Sequence, residues 1–116
     1  MACFDSEKLV HLCEGNHELV GSLINLYTEQ WPVMVAELRL ANQESRQKDL
    51  VRTAHTLKGT GKNFFSPQVI DAAYDIEKNG YECDEESIGK KIDVLEPLLK
   101  QLEEELLAYK SKSGNL

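Results

Sequence analysis

The sequence predicts an all-α fold: an antiparallel up-and-down four-helix bundle with a short extra helix at its N-terminus. The chain has 116 residues, of which 41% are apolar and 28% charged, with only 3 Pro and 7 Gly. That composition is too apolar for a disordered chain and too poor in turn residues for an all-β sandwich. Four segments joined by short loops repeat apolar residues at steps of three and four, so each has one face to bury. One domain over residues 1–116, with its core at about 5–109, is therefore expected.

The first two helices are predicted from caps and spacing. Asp5 or Ser6 caps a short first helix, which closes at Gly15. Asn16 caps a long second helix, and Pro32 inside it predicts a kink about one turn wide. The predicted core face of the second helix consists of Val20, Ile24, Tyr27, Trp31, Met34, Leu38 and Ala41.

Three further helices follow a predicted loop at residues 42–48. Core positions on the third are Leu50, Ala54, Leu57, Gly61 and Phe64. The pair 66–67, Ser then Pro, is a typical start for the short fourth helix, and 79–80, Asn-Gly, a typical end. The last helix begins near Asp84, and the polar tail 110–116 is expected to fray. Its core positions are Ile88, Ile92, Leu95, Leu99, Leu102, Leu106 and Tyr109, and Glu103, Glu104 and Glu105 form its predicted solvated face.

The net charge argues against some classes of partner, and the charged residues are unevenly distributed along the chain. The chain has 20 acidic and 13 basic residues, a net charge of −7, which argues against a protein that binds nucleic acid or anionic lipid. Residues 44–62 hold five basic side chains against two acidic ones, so this stretch is +3 and the rest of the chain −10. The basic residues are Arg46, Lys48, Arg52, Lys58 and Lys62.

The cysteines and the N-terminus predict a cytoplasmic protein. Cys3, Cys13 and Cys83 form no CxxC pair, the chain opens without a signal-peptide pattern, and no apolar run is long enough to span a membrane. His11, Cys13 and His17 have metal-ligand chemistry but no clear fourth ligand, so ordinary surface and capping roles are preferred.

The residues with the strongest chemical signal lie beside the core face of the third helix. A helical wheel puts Val51, His55, Lys58 and Lys62 on one flanking line, with Arg52 and Gly59 just beyond. A neutral imidazole is a nucleophile when a partner holds its other nitrogen as the donor. Lys58 would balance the charge of a transferred phosphoryl group, and Gly59 would let a partner's backbone approach. This combination favours phosphoryl transfer onto His55.

The run AHTLKGTGKNF at 54–64 resembles the signature of histidine-containing phosphotransfer (HPt) domains. The resemblance extends over almost the whole chain, from FDxxxL at 4–9 and AELRLA at 36–41 to the last long helix. It implies that His55 is phosphorylated on Nε2, beside Lys58. Glu77 would orient the ring through Nδ1, with Asp75 close by as the competing carboxylate, and Asn63 would be structural.

The implied function is that of a phosphorelay intermediate. It would take a phosphoryl group from a receiver-domain aspartyl phosphate and pass it to another receiver, docking through Gly59, Arg52, Val51 and Lys62. It would be a monomer without its own ATP-dependent kinase domain. It would need no cofactor, because Mg²⁺ would belong to the receiver. A hybrid sensor histidine kinase is a further candidate partner. The alternatives are a non-transferring helical adaptor and the phosphoacceptor domain of a chemotaxis-type kinase. Phe65 and Ser66 depart from the family, which usually has small residues there.

Overall fold

The computed structural model describes residues 4–113, and the side chains of 4–112. This part of the chain is helical throughout its regular structure, without a strand, which confirms the predicted fold class. Cys3 lies outside the described residues. The helices are α1 Ser6–Leu12, α2 His17–Gln43, α3 Gln47–Asn63, α4 Pro67–Asn79 and α5 Glu85–Ser113.

The four longer helices form a closed bundle around one apolar core. Each packs against the next in sequence, and α5 also packs against α2, which closes the ring. The short connections make successive helices antiparallel. The small helix α1 packs on α2, and Phe4 meets Tyr109 of α5 edge to face, with ring centroids 6.0 Å apart.

The core face of α2 differs from its prediction at one position. Val35 is buried and Met34 only half-buried, so the step after Trp31 is four residues, not three. The indole of Trp31 donates a hydrogen bond to Glu103 of α5 (3.2 Å), so Glu103 is not the purely solvated residue that its acidic neighbours suggested. The helix is unbroken through Pro32, which is exposed, so the missing backbone hydrogen bond lies on the solvent side.

The loop predicted between α2 and α3 is too long, because backbone contacts extend both helices. The predicted loop 42–48 shrinks to 44–46: Ser45 takes a φ of +57°, and the Arg46 amide donates to the Ala41 carbonyl at 2.8 Å. At the other end, α5 extends to Ser113 and so includes the start of the tail 110–116, for which fraying is predicted. The Lys110 ammonium donates to the side chain of Asn25, which ties this last turn to α2. Residues 114–116 lie outside the described part.

The junction between α3 and α4 fixes how closely these helices approach. A Cβ on Gly61 would lie 3.0 Å from the backbone nitrogen of Ile70, so only glycine allows this spacing without a shift. The chain then turns through Phe65, whose φ of +52° is left-handed, and the buried Ser66 amide donates back to the Gly61 carbonyl at 2.9 Å. Phe65 thus occupies a backbone conformation that glycine adopts most easily.

Candidate functional site

His55 lies on the outer surface of α3 and is oriented by a carboxylate from α4. Its side chain is 66% exposed, and Nδ1 is 2.7 Å from Oε2 of Glu77. An ionised carboxylate can only accept, so Nδ1 must donate, and the neutral ring then carries its lone pair on Nε2. Within residues 4–112, no side chain or backbone group forms a hydrogen bond with Nε2. Nε2 is therefore the nucleophilic nitrogen.

Glu77 bridges His55 and Lys58 with its two oxygens. Its Oε1 is buried and lies 2.7 Å from the ammonium nitrogen of Lys58. The Glu77 side chain is 20% exposed and that of Lys58 17%, so the lysine is better covered than a residue at the bundle rim. The Lys58 ammonium lowers the pKa of Glu77, His55 adds to this, and burial opposes it. Glu77 is therefore ionised at neutral pH, as the orientation of His55 requires.

The structure places Glu77, and not Asp75, beside the imidazole. Two residues along a helix correspond to a rotation of about 200°, so the two carboxylates leave α4 in different directions. Asp75 points to α5, where its Oδ2 is 2.8 Å from the ammonium of Lys91, and its Oδ1 accepts from Asn79. The competing carboxylate therefore has its own partners on the other side of α4.

Two side chains that the sequence pattern did not single out complete the cluster. The ring of Tyr74, one turn before Glu77 on α4, lies beneath the ammonium of Lys58, 5.1 Å from its centroid. Lys78 approaches the same ring at 5.5 Å. Tyr74 and Glu77 share a helix face because they are three residues apart, and this spacing was the signal available in the sequence.

The predicted docking residues differ in what they touch. A Cβ added to Gly59 would meet no atom within 4 Å, so the bundle's own packing does not require a glycine there. Lys62 is exposed, and so is Arg52, whose guanidinium contacts Asp49 at 2.8 Å. Val51 is half-buried and packs towards the C-terminal end of α4, against Gly80. Gly59, Arg52 and Lys62 are therefore available to a partner, whereas much of Val51 is not.

The basic stretch is more nearly neutral in space than along the sequence. Arg46 is paired with Glu44 at 2.8 Å and with Asp49 at 2.6 Å, and Lys58 is paired with Glu77. Because Glu77 comes from another helix, counting charges along residues 44–62 overlooks it. The cluster around His55 therefore has both signs, with positive charge held close to negative partners.

Within residues 4–113, no helix is long and apolar enough to cross a membrane. Over the same range, no three His, Cys, Asp or Glu side chains are grouped in a way that could hold a metal ion. Cys13 is buried in the core, and His11 is exposed on α1.

Comparison with family models gives the class of protein that this geometry fits. The model described as "Hpt domain" matches residues 18–111. The chain therefore belongs to the Hpt domain family, whose members carry phosphoryl groups on histidine in two-component signalling and interact with receiver domains. No curated protein and no solved structure matched the chain significantly.

Proposed function

We propose that this Hpt domain is a phosphorelay intermediate that accepts a phosphoryl group on Nε2 of His55 from a receiver aspartyl phosphate and passes it to a second receiver. The observation that carries the proposal is the 2.7 Å contact between Glu77 and Nδ1, on an imidazole that is two-thirds exposed. This contact holds the proton on Nδ1 and leaves Nε2 as the unprotonated nitrogen. A histidine that only packed into the bundle would not need that arrangement.

The transfer step requires no proton acceptor, because the ring releases no proton. The Nε2 lone pair attacks phosphorus, the bond from phosphorus to the aspartate oxygen breaks, and the aspartate leaves as a carboxylate. The ring keeps its Nδ1 proton and becomes positively charged, and the reverse step restores the neutral ring. Glu77 offsets this charge at 2.7 Å, and the pKa lowering by Lys58 keeps its carboxylate ionised.

Lys58 is proposed to stabilise the phosphoryl group. Its ammonium lies on the same carboxylate that holds the imidazole, so it is near the reacting ring without contacting it. The long side chain can move towards phosphoryl oxygens as charge accumulates there. Any Mg²⁺ in the reaction is assigned to the receiver's acidic pocket, not to this chain.

The receiver is proposed to dock over α3 and its neighbour α2. On α2, exposed apolar side chains recur every seven residues, at Leu19, Leu26, Val33 and Leu40, and so form one line along the helix. A groove between α2 and α3 is lined by Leu26 and Gln30 on one side and by Thr60 and Asn63 on the other. Apolar contact area next to polar residues is usual for transient interfaces. The protein is proposed to act as a cytoplasmic monomer.

The test is transfer of label from a phosphorylated receiver. Receiver domains are labelled with radioactive acetyl phosphate, purified, and mixed with the wild-type chain, the His55→Gln variant and the matched control His11→Gln. His11 is also an exposed helical histidine, but it lies on α1, away from the cluster. Label on the wild type and on His11→Gln that is acid-labile, and that is absent from His55→Gln, supports the proposal.

The remaining outcomes separate the alternatives. A receiver that binds the chain but never transfers label to it identifies a non-transferring adaptor and overturns the proposal. Direct and efficient labelling by a separate ATP-binding kinase domain, with none from receivers, identifies the phosphoacceptor domain of a chemotaxis-type kinase.

A further inference from the structure

The ring of Tyr74 is linked to His55 through Lys58 and Glu77. The Lys58 ammonium is 5.1 Å from the centroid of this ring and 2.7 Å from Glu77, whose other oxygen is 2.7 Å from His55. One continuous chain of contacts therefore joins the tyrosine to the imidazole. No contact is described between Tyr74 and His55 themselves.

From this arrangement, and resting on the proposed function, we infer that Tyr74 is a positioning residue for phosphoryl transfer: its ring face holds the Lys58 ammonium against Glu77. A cation over an aromatic face is attracted by the ring quadrupole. The Lys58 side chain is only 17% exposed, so its ammonium is partly shielded from water. Without the ring, the ammonium would sample more rotamers and spend less time near the reacting nitrogen.

The position of Tyr74 is not explained by the needs of the core. Its side chain is 48% exposed, and the α4 residues that fill the bundle interior are Val69, Ala73 and Ile76. A large apolar ring at this degree of exposure contributes less to stability than a buried one. Replacement of Tyr74 therefore leaves the fold in place and makes the effect on transfer measurable.

Lys78 adds a second cation to the same ring, at 5.5 Å. Two ammonium groups near one ring would repel each other in the absence of negative charge, and Glu77 pairs with one of them, that of Lys58. The ring and the carboxylate together offset the positive charge of Lys58. Tyr74 thus acts with Glu77, one turn apart on α4, on a lysine from α3.

The test compares Tyr74→Leu, Tyr74→Phe and the control Tyr81→Leu. Tyr81 is seven residues further along, is 59% exposed, and has no described contact with Lys58. An exposed cation–aromatic pair corresponds to about a two- to fivefold effect, so Tyr74→Leu should lower the maximal transfer rate by this factor with receiver affinity unchanged. Tyr74→Phe keeps the ring and should transfer at the wild-type rate. Tyr81→Leu should also transfer at the wild-type rate.

A double-mutant cycle shows whether Tyr74 acts through Lys58. In a Lys58→Ala background, Tyr74→Leu should cause no further loss of rate. An additive loss, a change confined to receiver affinity, or failure of Tyr74→Phe to restore the rate would each overturn the inference. The first two results would instead describe a residue that contacts the receiver, and the third a role for the hydroxyl group.

A second measurement does not depend on transfer. NMR of the unphosphorylated chain should show Lys58 methylene protons shifted by the aromatic ring in the wild type, Tyr74→Phe and Tyr81→Leu, with the shift lost in Tyr74→Leu. If receivers transfer no label to the wild type, the proposed function fails, and this spectrum still decides whether Tyr74 holds Lys58. Lys58 resonances that do not change in Tyr74→Leu would refute the positioning role.

Discussion

Gly59 is predicted to serve the docking of a receiver and not the packing of the bundle. It lies inside α3, and a methyl group added there would meet no atom within 4 Å. An interior glycine costs a helix about 0.5–1 kcal/mol relative to alanine, so Gly59→Ala should stabilise the bundle by that amount. With an m-value of about 1.5 kcal/mol/M, the urea midpoint should rise by about 0.3–0.7 M.

Gly61, two residues further along the same helix, is the matched control. A Cβ there would lie 3.0 Å from the Ile70 backbone nitrogen, from the Ile70 side chain and from Val69. Overpacking of this kind costs about 1–3 kcal/mol, which exceeds the gain in helix propensity. Gly61→Ala should therefore destabilise the bundle by about 1–2 kcal/mol, opposite in sign to Gly59→Ala.

The functional half of this test uses Gly59→Gln. Glutamine is a good helix former without charge, so it should leave the urea midpoint unchanged or raised. Its side chain should obstruct a receiver and weaken binding by about tenfold, or 1.4 kcal/mol, in a titration. If Gly59→Ala lowers the midpoint as Gly61→Ala does, or if Gly59→Gln binds normally, Gly59 is not a docking glycine and the reasoning is wrong.

Three further predictions concern the site and its supporting turn. Lys58→Ala should slow transfer from a labelled receiver by at least about tenfold. It should lower the free energy of urea unfolding by about 1 kcal/mol, because only one partly covered ion pair is lost. An unfolded variant would contradict the placement of Lys58. Since the pKa of Glu77 is lowered from 4.5 in the folded state, the unfolded chain binds more protons in acid. The stability from Glu77 is thus present above pH 4.5 and lost as the pH falls through the lower folded pKa. Glu77→Gln should remove this part of the loss of stability in acid. Plots of unfolding free energy against pH with equal slopes for the wild type and the variant would refute this prediction. The Phe65→Gly variant should have a free energy of unfolding about 1 kcal/mol higher than the Phe65→Ala variant, because the φ of +52° at this residue penalises any Cβ. Equal urea midpoints for the two variants would exclude backbone strain at this position.

Local signals were sufficient for most helix starts and stops. Asp5 accepts from the Lys8 amide and Asn16 from the Leu19 amide, as their cap positions predicted. The proline after Ser66 begins α4, and the helix ends at Asn79. Caps work through contacts within one turn, so they can be recognised without knowledge of the fold. The loop predicted at residues 42–48 was too long, because the left-handed Ser45 and the bond from the Arg46 amide to Ala41 close α2 in a tight turn that has no glycine to mark it.

The core face of α2 shows where periodicity alone is insufficient. Met34 and Val35 are both apolar and adjacent, so a step of three or four after Trp31 is equally compatible with a helix. The neighbouring helices decide between them. Trp31 reaches Glu103 of α5, Val35 is buried in the core, and Met34 lines the groove beside α3.

The sequence by itself determined the fold class and the motif around His55, because helical periodicity and a local motif are properties of neighbouring residues. Glu77 became a candidate partner only through the resemblance of the chain to HPt domains. The tertiary structure decided which carboxylate faces the imidazole, that Glu77 also pairs with Lys58, and that Tyr74 lies against that lysine. These contacts cross from α3 to α4, and Gly61 sets the close approach on which they depend. The rotation and spacing of two packed helices come from the whole core, and no single segment encodes them.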